Sequence, residues 1–164
     1  MLVGMISDTH GYIDPRLAAA FAGVEAIVHA GDVGSHAVLD ALRAMAPVHA
    51  VRGNNDEKLG GLGLPLHADF TLAGVRFHLV HQLPHAKPGG QTQVVVFGHS
   101  HKTLIEQRGE LLFMNPGAAG RAGFHRLQTV MLIRIERGAV AETRIVELGA
   151  REAIARPARK RQAG

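Results

Sequence analysis

Two histidines near the middle of the chain have a spacing that could place both side chains in one pocket. His99 and His101 follow Val94–Gly98, a β-branched run ending in glycine that predicts a buried strand and then a loop. On an extended backbone, residues two apart point to the same side. Neutral imidazoles arranged in this way are good ligands for transition metals. The pair predicts a metal site, although two histidines in a surface turn would have the same spacing.

Other side chains that bind metals follow further predicted strands, in each case where the strand ends. Because the carboxyl ends of parallel strands meet at one edge of a sheet, we expect these side chains to converge. Each alone has an ordinary explanation as a turn or strand-end residue, and only their joint occurrence favours a site. The set comprises Asp8 and His10 after the first strand, Asp32 after the second, Asn54 after the third and His81 after a later one.

The ligand types indicate which metals would fit. The chain has no cysteine, which excludes disulfides and thiolate zinc sites. Seven nitrogen and oxygen ligands are too many for one tetrahedral ion. They suit two ions about 3.5–4 Å apart that share a carboxylate, an arrangement that activates water and holds a phosphoryl group. We expect two divalent transition-metal ions, with manganese favoured and nickel, iron, zinc or cobalt as alternatives.

The elements that must position these residues change character along the chain. The first half predicts the order β-α-β-α-β, which favours parallel strands. Its strands are Leu2–Ile6, Ala26–His29 and Val48–Val51, and its helices run over Arg16–Phe21 and from Ser35 to Pro47.

The second half predicts paired short strands around Val94–Phe97. Hairpins are predicted over 70–81, 103–114 and 129–146, with a linker at Gly60–Gly63 and an irregular loop at Leu83–Gln93. Together with the first half, this pattern predicts an α/β protein of two stacked sheets with helices outside.

Length and composition predict one domain and a short tail. The chain has 164 residues, 46% of them hydrophobic, which suffices for one aliphatic core over 1–150. Residues 151–164 are strongly basic and predict a disordered, solvated tail, with weak nucleic-acid contact as the alternative. No apolar run approaches the roughly 20 residues that span a membrane, and the first residues predict a strand rather than a signal peptide. We therefore expect a soluble, cytoplasmic protein.

The ordered motifs resemble the D-x-H, G-D, G-N, H and G-H-x-H signature of the calcineurin-like metallophosphoesterases. Val51-Arg52-Gly53-Asn54 and Asn115-Pro116-Gly117 are most similar to the small bacterial and archaeal phosphodiesterase branch. The resemblance covers roughly residues 1–148. It implies a four-layer α/β/β/α sandwich, two stacked mixed sheets flanked by helices, with a dinuclear site at one sheet edge.

The resemblance also implies the role of each candidate residue. One metal would be held by Asp8, His10, Asp32 and His101, and the second by Asn54, His81 and His99, with Asp32 as the bridge. The reaction would be in-line attack on phosphorus by a hydroxide that bridges the metals. Asp32 and Asn54 would take part in catalysis, Asn54 by donating its amide to a phosphate oxygen.

One departure from the family pattern concerns the proton donor. Relatives that cleave phosphate monoesters usually have His-Glu after Gly-Asn, whereas this chain has Asn55 and Asp56. An amide cannot act as a general acid, so we expect a preference for activated diesters. Asn55 is a candidate substrate contact, and Asp56 is expected to orient its loop.

A second departure follows His81, where Gln82 replaces the usual glycine. The connection to Val94 is too short and broken for a full helix, which would leave the pocket open or reshape it around His85 and Lys87. His85 is then an alternative proton donor, and Lys87 a candidate phosphate contact. Of the remaining histidines, His29 is expected to support Asp32, and the others to be ordinary surface or strand residues: His36, His49, His67, His78 and His125.

These features favour a metal-dependent phosphodiesterase acting on a small phosphodiester. The alternatives are a phosphomonoesterase or nucleotide pyrophosphatase, and a non-catalytic interaction scaffold, since the retromer subunit of this fold resembles these enzymes. A homodimer through the edge of the Leu111–Met114 hairpin or the final hairpin is a further hypothesis.

Overall fold

The structure is a computed structural model that describes residues 1–151. It contains ten strands and three short α-helices in this part of the chain. In chain order they are β1 Leu2–Ile6, α1 Leu17–Ala20, β2 Ala26–His29, α2 His36–Arg43, β3 Val48–Ala50, α3 Asn54–Glu57, β4 His67–Leu72, β5 Val75–Val80, β6 Val94–Val96, β7 Thr103–Arg108, β8 Leu111–Pro116, β9 Leu127–Glu136 and β10 Ala139–Ala150.

The strands form two five-stranded mixed sheets. The first has the order β10-β9-β1-β2-β3, with β1, β2 and β3 parallel and β9 antiparallel to β1. The second has the order β4-β5-β6-β8-β7, with β5, β6 and β8 parallel. Each sheet therefore has three neighbouring parallel strands, and the candidate ligands lie in loops that follow the carboxyl ends of β1, β2, β3, β5 and β6.

The two sheets pack face to face over an aliphatic core. Side chains two apart on each strand point into it, as the period of a pleated strand requires. Burying each large side chain contributes about 1.5–3 kcal/mol, so this layer fixes how the two sets of strand ends face each other. Its largest buried members are Met5, Phe77, Leu79, Met114, Met131, Ile133 and Ile135.

Helices α1 and α2 cover the outer face of the first sheet. Ser35 caps α2 by accepting a hydrogen bond from the Val38 amide at 3.4 Å, and Val38, Leu39 and Leu42 are buried. Phe21 packs so closely on β1 that a Cβ on Gly4 would lie 2.8 Å from the ring. A glycine is therefore needed where the helical layer meets the strand.

The outer face of the second sheet carries no α-helix within residues 1–151. Its cover is the 82–93 connection, which contains one turn of 3₁₀ helix at Leu83–His85. The backbone of Lys87 donates to Nε2 of the buried His78, whose Nδ1 donates to Asp69 at 2.7 Å. The shortened connection predicted from the sequence is confirmed, and the fourth layer is irregular.

Several element boundaries differ from those predicted. Helix α1 is shorter than the predicted Arg16–Phe21, and Gly60–Gly63 forms a 3₁₀ turn. Strand β8 extends beyond the predicted Met114 and ends at Pro116. The predicted basic tail lies outside the described residues except for Arg151, whose amide donates to the Arg126 carbonyl at 2.9 Å. No helix in the described part is long and apolar enough to cross a bilayer.

Candidate metal centre

Two buried carboxylates lie at the centre of the candidate site. Asp8 follows β1 and Asp32 follows β2, and both side chains are almost completely buried. His81, which follows β5 of the other sheet, reaches across the sheet edge to them. Its Nε2 lies 3.4 Å from Oδ2 of Asp32 and 4.0 Å from Oδ1 of Asp8.

Two further histidines approach the same carboxylates. Nε2 of His101 lies 3.2 Å from Oδ1 of Asp8. Nε2 of His10 lies 4.0 Å from the same oxygen and 3.8 Å from Oδ2 of Asp32. Two overlapping groups result, Asp8-His10-His101 and Asp8-Asp32-His81, and within each group the ligand atoms lie no more than 4.8 Å apart.

Several of these inward-facing atoms have no hydrogen-bond partner. Oδ1 of Asp8, Nε2 of His10 and Nε2 of His81 are buried and unpaired. A buried polar atom without a partner costs on the order of 1–3 kcal/mol, so such atoms are uncommon in folded proteins. Three of them converge on one small volume lined by nitrogen and carboxylate donors, which is the environment that a divalent transition metal fits.

The remaining two candidate ligands lie at the rim of this centre. Asn54 is the first residue of α3, and His99 follows β6. The Gln82 amide lies 3.5 Å from both the Asn54 Oδ1 and the His99 Nε2 atoms. Sequence reasoning noted Gln82 only as a departure, whereas the structure places its amide between these two side chains.

The backbone at the candidate ligands is strained. Eight non-glycine residues within 1–151 have a positive φ in the left-handed region, and five of them belong to the candidate ligand set. This conformation costs roughly 1–2 kcal/mol for each residue with a side chain. Such strain concentrates at functional sites. The five are Asp8 (54°), His10 (47°), Asp32 (53°), His99 (67°) and His101 (58°).

The glycines that precede Asn54 and His99 are required by contact with the carboxylates. A Cβ on Gly53 would lie 2.0 Å from Oδ1 of Asp32. A Cβ on Gly98 would lie 2.0 Å from the Ser7 hydroxyl and 2.9 Å from Oδ2 of Asp8. Each glycine therefore allows one candidate ligand loop to pack against the carboxylate of another.

Hydrogen bonds outside the centre orient the ligand atoms. Nδ1 of His81 donates to the Ala30 carbonyl at 2.7 Å, which leaves Nε2 unprotonated and facing the carboxylates in the neutral ring. Oδ2 of Asp8 accepts from the Ser7 hydroxyl at 2.7 Å and from the His99 amide at 3.1 Å. Protein metal sites use such outer bonds to fix the ring tautomer and the carboxylate orientation.

The electrostatics of the centre couple Asp32 to His81. Burial opposes ionisation of Asp32, but the His81 imidazole 3.4 Å away and the hydrogen bonds from Asn55 outweigh it and lower the pKa of this carboxyl. Burial likewise opposes protonation of His81, yet the two carboxylates raise the pKa of its imidazole. The carboxylates thus attract a positive charge to this point, which a metal ion would supply.

Two buried side chains hold the loops that carry these residues. Burial lowers the pKa of His29 to about 4, so its ring is neutral. Its Nδ1 accepts from the Gly31 amide at 3.2 Å and its Nε2 donates to Thr9 at 2.9 Å. Asp56 accepts from the amides of Val33, Gly34 and Gly53. Asp56 orients its loop as expected from the sequence.

Asn55 does not point into open space. Its backbone amide donates to Oδ1 of Asp32 at 2.9 Å, and its side-chain amide donates to Oδ2 at 2.7 Å. Its amide nitrogen is thus engaged with a carboxylate of the centre, and the contact of Asn55 with substrate stays a prediction.

His85 and Lys87 lie in different places. His85 lines a groove of about 150 Å³ beside Asn54 and Gln82, adjacent to the centre. Lys87 lines another groove, with Asp69 and Arg76, on the outer side of the second sheet. The structure therefore does not bring Lys87 to the candidate centre, because the 82–93 connection turns over the sheet face.

His125, which the sequence predicted to be an ordinary surface or strand residue, lies beside a candidate ligand. Its ring is 5.2 Å from that of His101, its Nε2 donates to the Gly120 carbonyl at 2.9 Å, and its Nδ1 is buried without a partner. Burial lowers its pKa, so the neutral ring has a free acceptor beside His101. It lies 24 positions beyond His101 in an irregular loop, and no motif or periodicity marks it.

Comparison with known proteins agrees with this geometry. Residues 1–138 match the family model of the calcineurin-like phosphoesterase superfamily domain. The chain belongs to this superfamily. A probable metallophosphoesterase from Methanothermobacter thermautotrophicus is 33% identical over 169 aligned residues, which cover 92% of this chain and 94% of the relative.

Solved structures share the fold. A structure described as a novel archaeal phosphodiesterase has a TM-score of 0.74 and 25% identity, and the match covers 90% of this chain and 99% of that one. A structure of Vps29 carrying a single mutation, from Entamoeba histolytica, has a TM-score of 0.72, 22% identity and the same coverage. The two stacked mixed sheets are thus those of the metallophosphoesterase fold.

Proposed function

We propose that this protein is a metal-dependent phosphodiesterase. The observation that carries the proposal is the convergence of unpaired, buried ligand atoms from Asp8, His10 and His81 on one point between the two sheets. Superfamily membership and the likeness to an archaeal phosphodiesterase support the same conclusion.

In the proposed site, seven side chains would hold two divalent ions. Asp8, His10, Asp32 and His101 would hold the first, and Asn54, His81 and His99 the second. Asp32 is the ligand that the two ions would share, because its Oδ2 lies 3.8 Å from Nε2 of His10 and 3.4 Å from Nε2 of His81. When bound, ions of this kind activate water and neutralise charge on the phosphoryl group.

The protein's own residues would position the substrate and the ligands. Asn54 presents its amide at the rim, where it can donate to a phosphate oxygen. Asn55 and Ser7 hold the two carboxylates through their hydrogen bonds, so that neither carboxylate must reorganise during the reaction.

The position of Asn55 also supports preference for diesters with good leaving groups. The side-chain amide of Asn55 is not acidic enough to act as a general acid, and it donates a hydrogen bond to Asp32. His85 lines the groove beside Asn54 and supplies the imidazole there that is not one of the proposed metal ligands. We infer that His85, rather than Asn55, protonates poor leaving groups where this is required.

Hydrolysis of matched chromogenic esters tests the proposal. The purified protein, stripped with chelator and reloaded with Mn²⁺, Ni²⁺, Zn²⁺ or Mg²⁺, would be assayed with bis(p-nitrophenyl) phosphate and with p-nitrophenyl phosphate. We expect the diester to be hydrolysed faster, and chelator or Asp32→Ala or His101→Ala to abolish the activity.

The alternatives give different results in the same assay. Faster hydrolysis of the monoester would indicate a phosphomonoesterase. Tight metal binding with hydrolysis of neither ester would indicate a non-catalytic scaffold of this fold.

A further inference from the structure

A fully exposed aromatic side chain stands beside the candidate metal centre. Phe124 has a relative exposure of 103%, whereas the next most exposed large hydrophobic residue in the described part, Leu59, has 54%. Single exposed hydrophobic side chains are common and need no explanation. Phe124 differs because it shares a groove with two of the candidate ligands.

The loop that presents Phe124 is fixed to the centre. The Gly120 amide donates to the Asp8 carbonyl at 3.1 Å, and His125 donates to the Gly120 carbonyl at 2.9 Å. Gly123 has a φ of 119°, and a Cβ there would lie 2.4 Å from Nδ1 of His101. The backbone on both sides of Phe124 thus lies against the candidate ligands, so the loop presents the ring beside the centre.

The groove is large enough for an aromatic group. Its volume is about 420 Å³, within the range of small-molecule sites. The residues that line it are His99, Ser100, His101, Lys102, Gly123, Phe124 and His125.

A second, smaller groove approaches the centre from the side of Asn54 and His81. Its volume is about 150 Å³, and it shares no lining residue with the first. A phosphodiester has two ester substituents, and a phosphorus atom at the centre would direct them into different grooves. The geometry therefore fits a diester with one small and one large substituent.

We propose that the groove beside Phe124 binds an aromatic ester substituent of the substrate by stacking on the Phe124 ring. This proposal rests on the proposed phosphodiesterase function and adds a substrate class to it. An aromatic side chain has few rotatable bonds, so it loses little conformational entropy when a ligand binds. Its face can stack on any flat aromatic group of a ligand, with little dependence on the substituents of that group.

Fluorescence gives a test that does not require turnover. The chain has no tryptophan, so Phe124→Trp would carry a single one in the groove. Leu59→Trp provides the matched control, because Leu59 is exposed and lines neither groove. Both Mn²⁺-loaded variants would be titrated with dibenzylphosphinate and dibutylphosphinate, phosphodiester analogues that have no ester bond to cleave.

We expect dibenzylphosphinate to change the emission of the Phe124→Trp variant saturably, at a concentration about fivefold lower than dibutylphosphinate. The Leu59→Trp variant should not respond. An unchanged emission of the Phe124→Trp variant, with the protein otherwise binding these phosphinates, would overturn the proposal.

The substrate preference in hydrolysis provides a second test of the proposal. Phenyl p-nitrophenyl phosphate and ethyl p-nitrophenyl phosphate release the same leaving group, and Phe124→Ala should lower the phenyl-over-ethyl ratio of kcat/KM about fivefold to tenfold. Leu59→Ala should leave the ratio unchanged. An unchanged ratio in Phe124→Ala would overturn the proposal while leaving the phosphodiesterase intact. Absence of all hydrolysis with a saturable fluorescence change would refute the proposed function and retain the aromatic site.

Discussion

Asn55 donates to both carboxylate oxygens of Asp32, from its backbone amide at 2.9 Å and from its side-chain amide at 2.7 Å. One residue thus fixes the plane of the carboxylate that we propose as the metal bridge. The position at which monoester-cleaving relatives usually carry histidine serves here to orient a proposed metal ligand.

The first prediction concerns this contact. Asn55→Ala should weaken Mn²⁺ binding about 10- to 100-fold, because loss of an outer hydrogen bond lets the ligand rotate. Calorimetric titration of the metal-free protein with Mn²⁺ measures the change. Gln107→Ala removes an exposed amide on β7 and should leave the affinity unchanged. An affinity equal to wild type in Asn55→Ala would show that Asn55 does not hold Asp32 for the metal.

The second prediction concerns backbone strain at His99. Because its φ is 67°, His99→Gly should unfold with a free energy about 1 kcal/mol higher than that of His99→Ala. Chemical denaturation of the metal-free variants measures the difference. At Ser100, which does not have a positive φ, the glycine variant should instead be no more stable than the alanine variant. Equal stability of the two His99 variants would contradict the strain.

The third prediction concerns the packing of Gly98. Gly98→Ala should destabilise the protein by about 1–3 kcal/mol, because its Cβ would overlap the Ser7 hydroxyl and approach Asp8. Metal affinity should fall as well, since the His99 loop must move. Gly89→Ala is the control, because nothing lies within 4 Å of a Cβ at that position. Thermal unfolding with and without Mn²⁺ compares the two variants. A Gly98→Ala variant with the unfolding temperature of wild type, and the same shift on addition of Mn²⁺, would be inconsistent with this packing.

The fourth prediction concerns acid stability. Hydrogen bonds from Arg16 lower the pKa of the buried Asp14 carboxyl. The ionised pair therefore stabilises the fold fully above the ordinary carboxyl pKa, and the contribution is lost as pH falls through the lowered value. Asp14→Asn should cost about 1–2 kcal/mol at pH 7, and its difference from wild type should shrink towards pH 3.

Urea denaturation across that pH range measures this difference. Glu106→Gln disrupts a similar but exposed pair with Arg108 and should change the unfolding free energy little at either pH. A difference for Asp14→Asn that grew on acidification would contradict the stated sign.

From the sequence, the positions where strands end were predicted better than the contacts that loop residues make. The convergence of Asp8, Asp32 and His81 could be predicted, because the carboxyl ends of parallel strands meet at one edge of a sheet. The unpaired atoms of Asp8 and His81, and the left-handed backbone at Asp8 and Asp32, became visible only in three dimensions.

Residues on irregular connections were not predictable in the same way. The paths of the 82–93 and 118–125 segments depend on packing against distant sheet edges, and neither has a periodic pattern. Lys87 was therefore expected near the pocket but lies over the sheet face, whereas His125 and Phe124 lie beside the centre without a signal in the sequence.

Titration of diesterase activity with metal tests the central claim most directly. Metal-free protein, at a concentration well above the dissociation constant, would receive Mn²⁺ stepwise while the rate of bis(p-nitrophenyl) phosphate hydrolysis is followed. We predict that the rate rises to a plateau at two ions per chain and that Asp32→Ala shows no rise. A plateau at one ion, or no hydrolysis at any Mn²⁺ concentration, would contradict a two-metal phosphodiesterase.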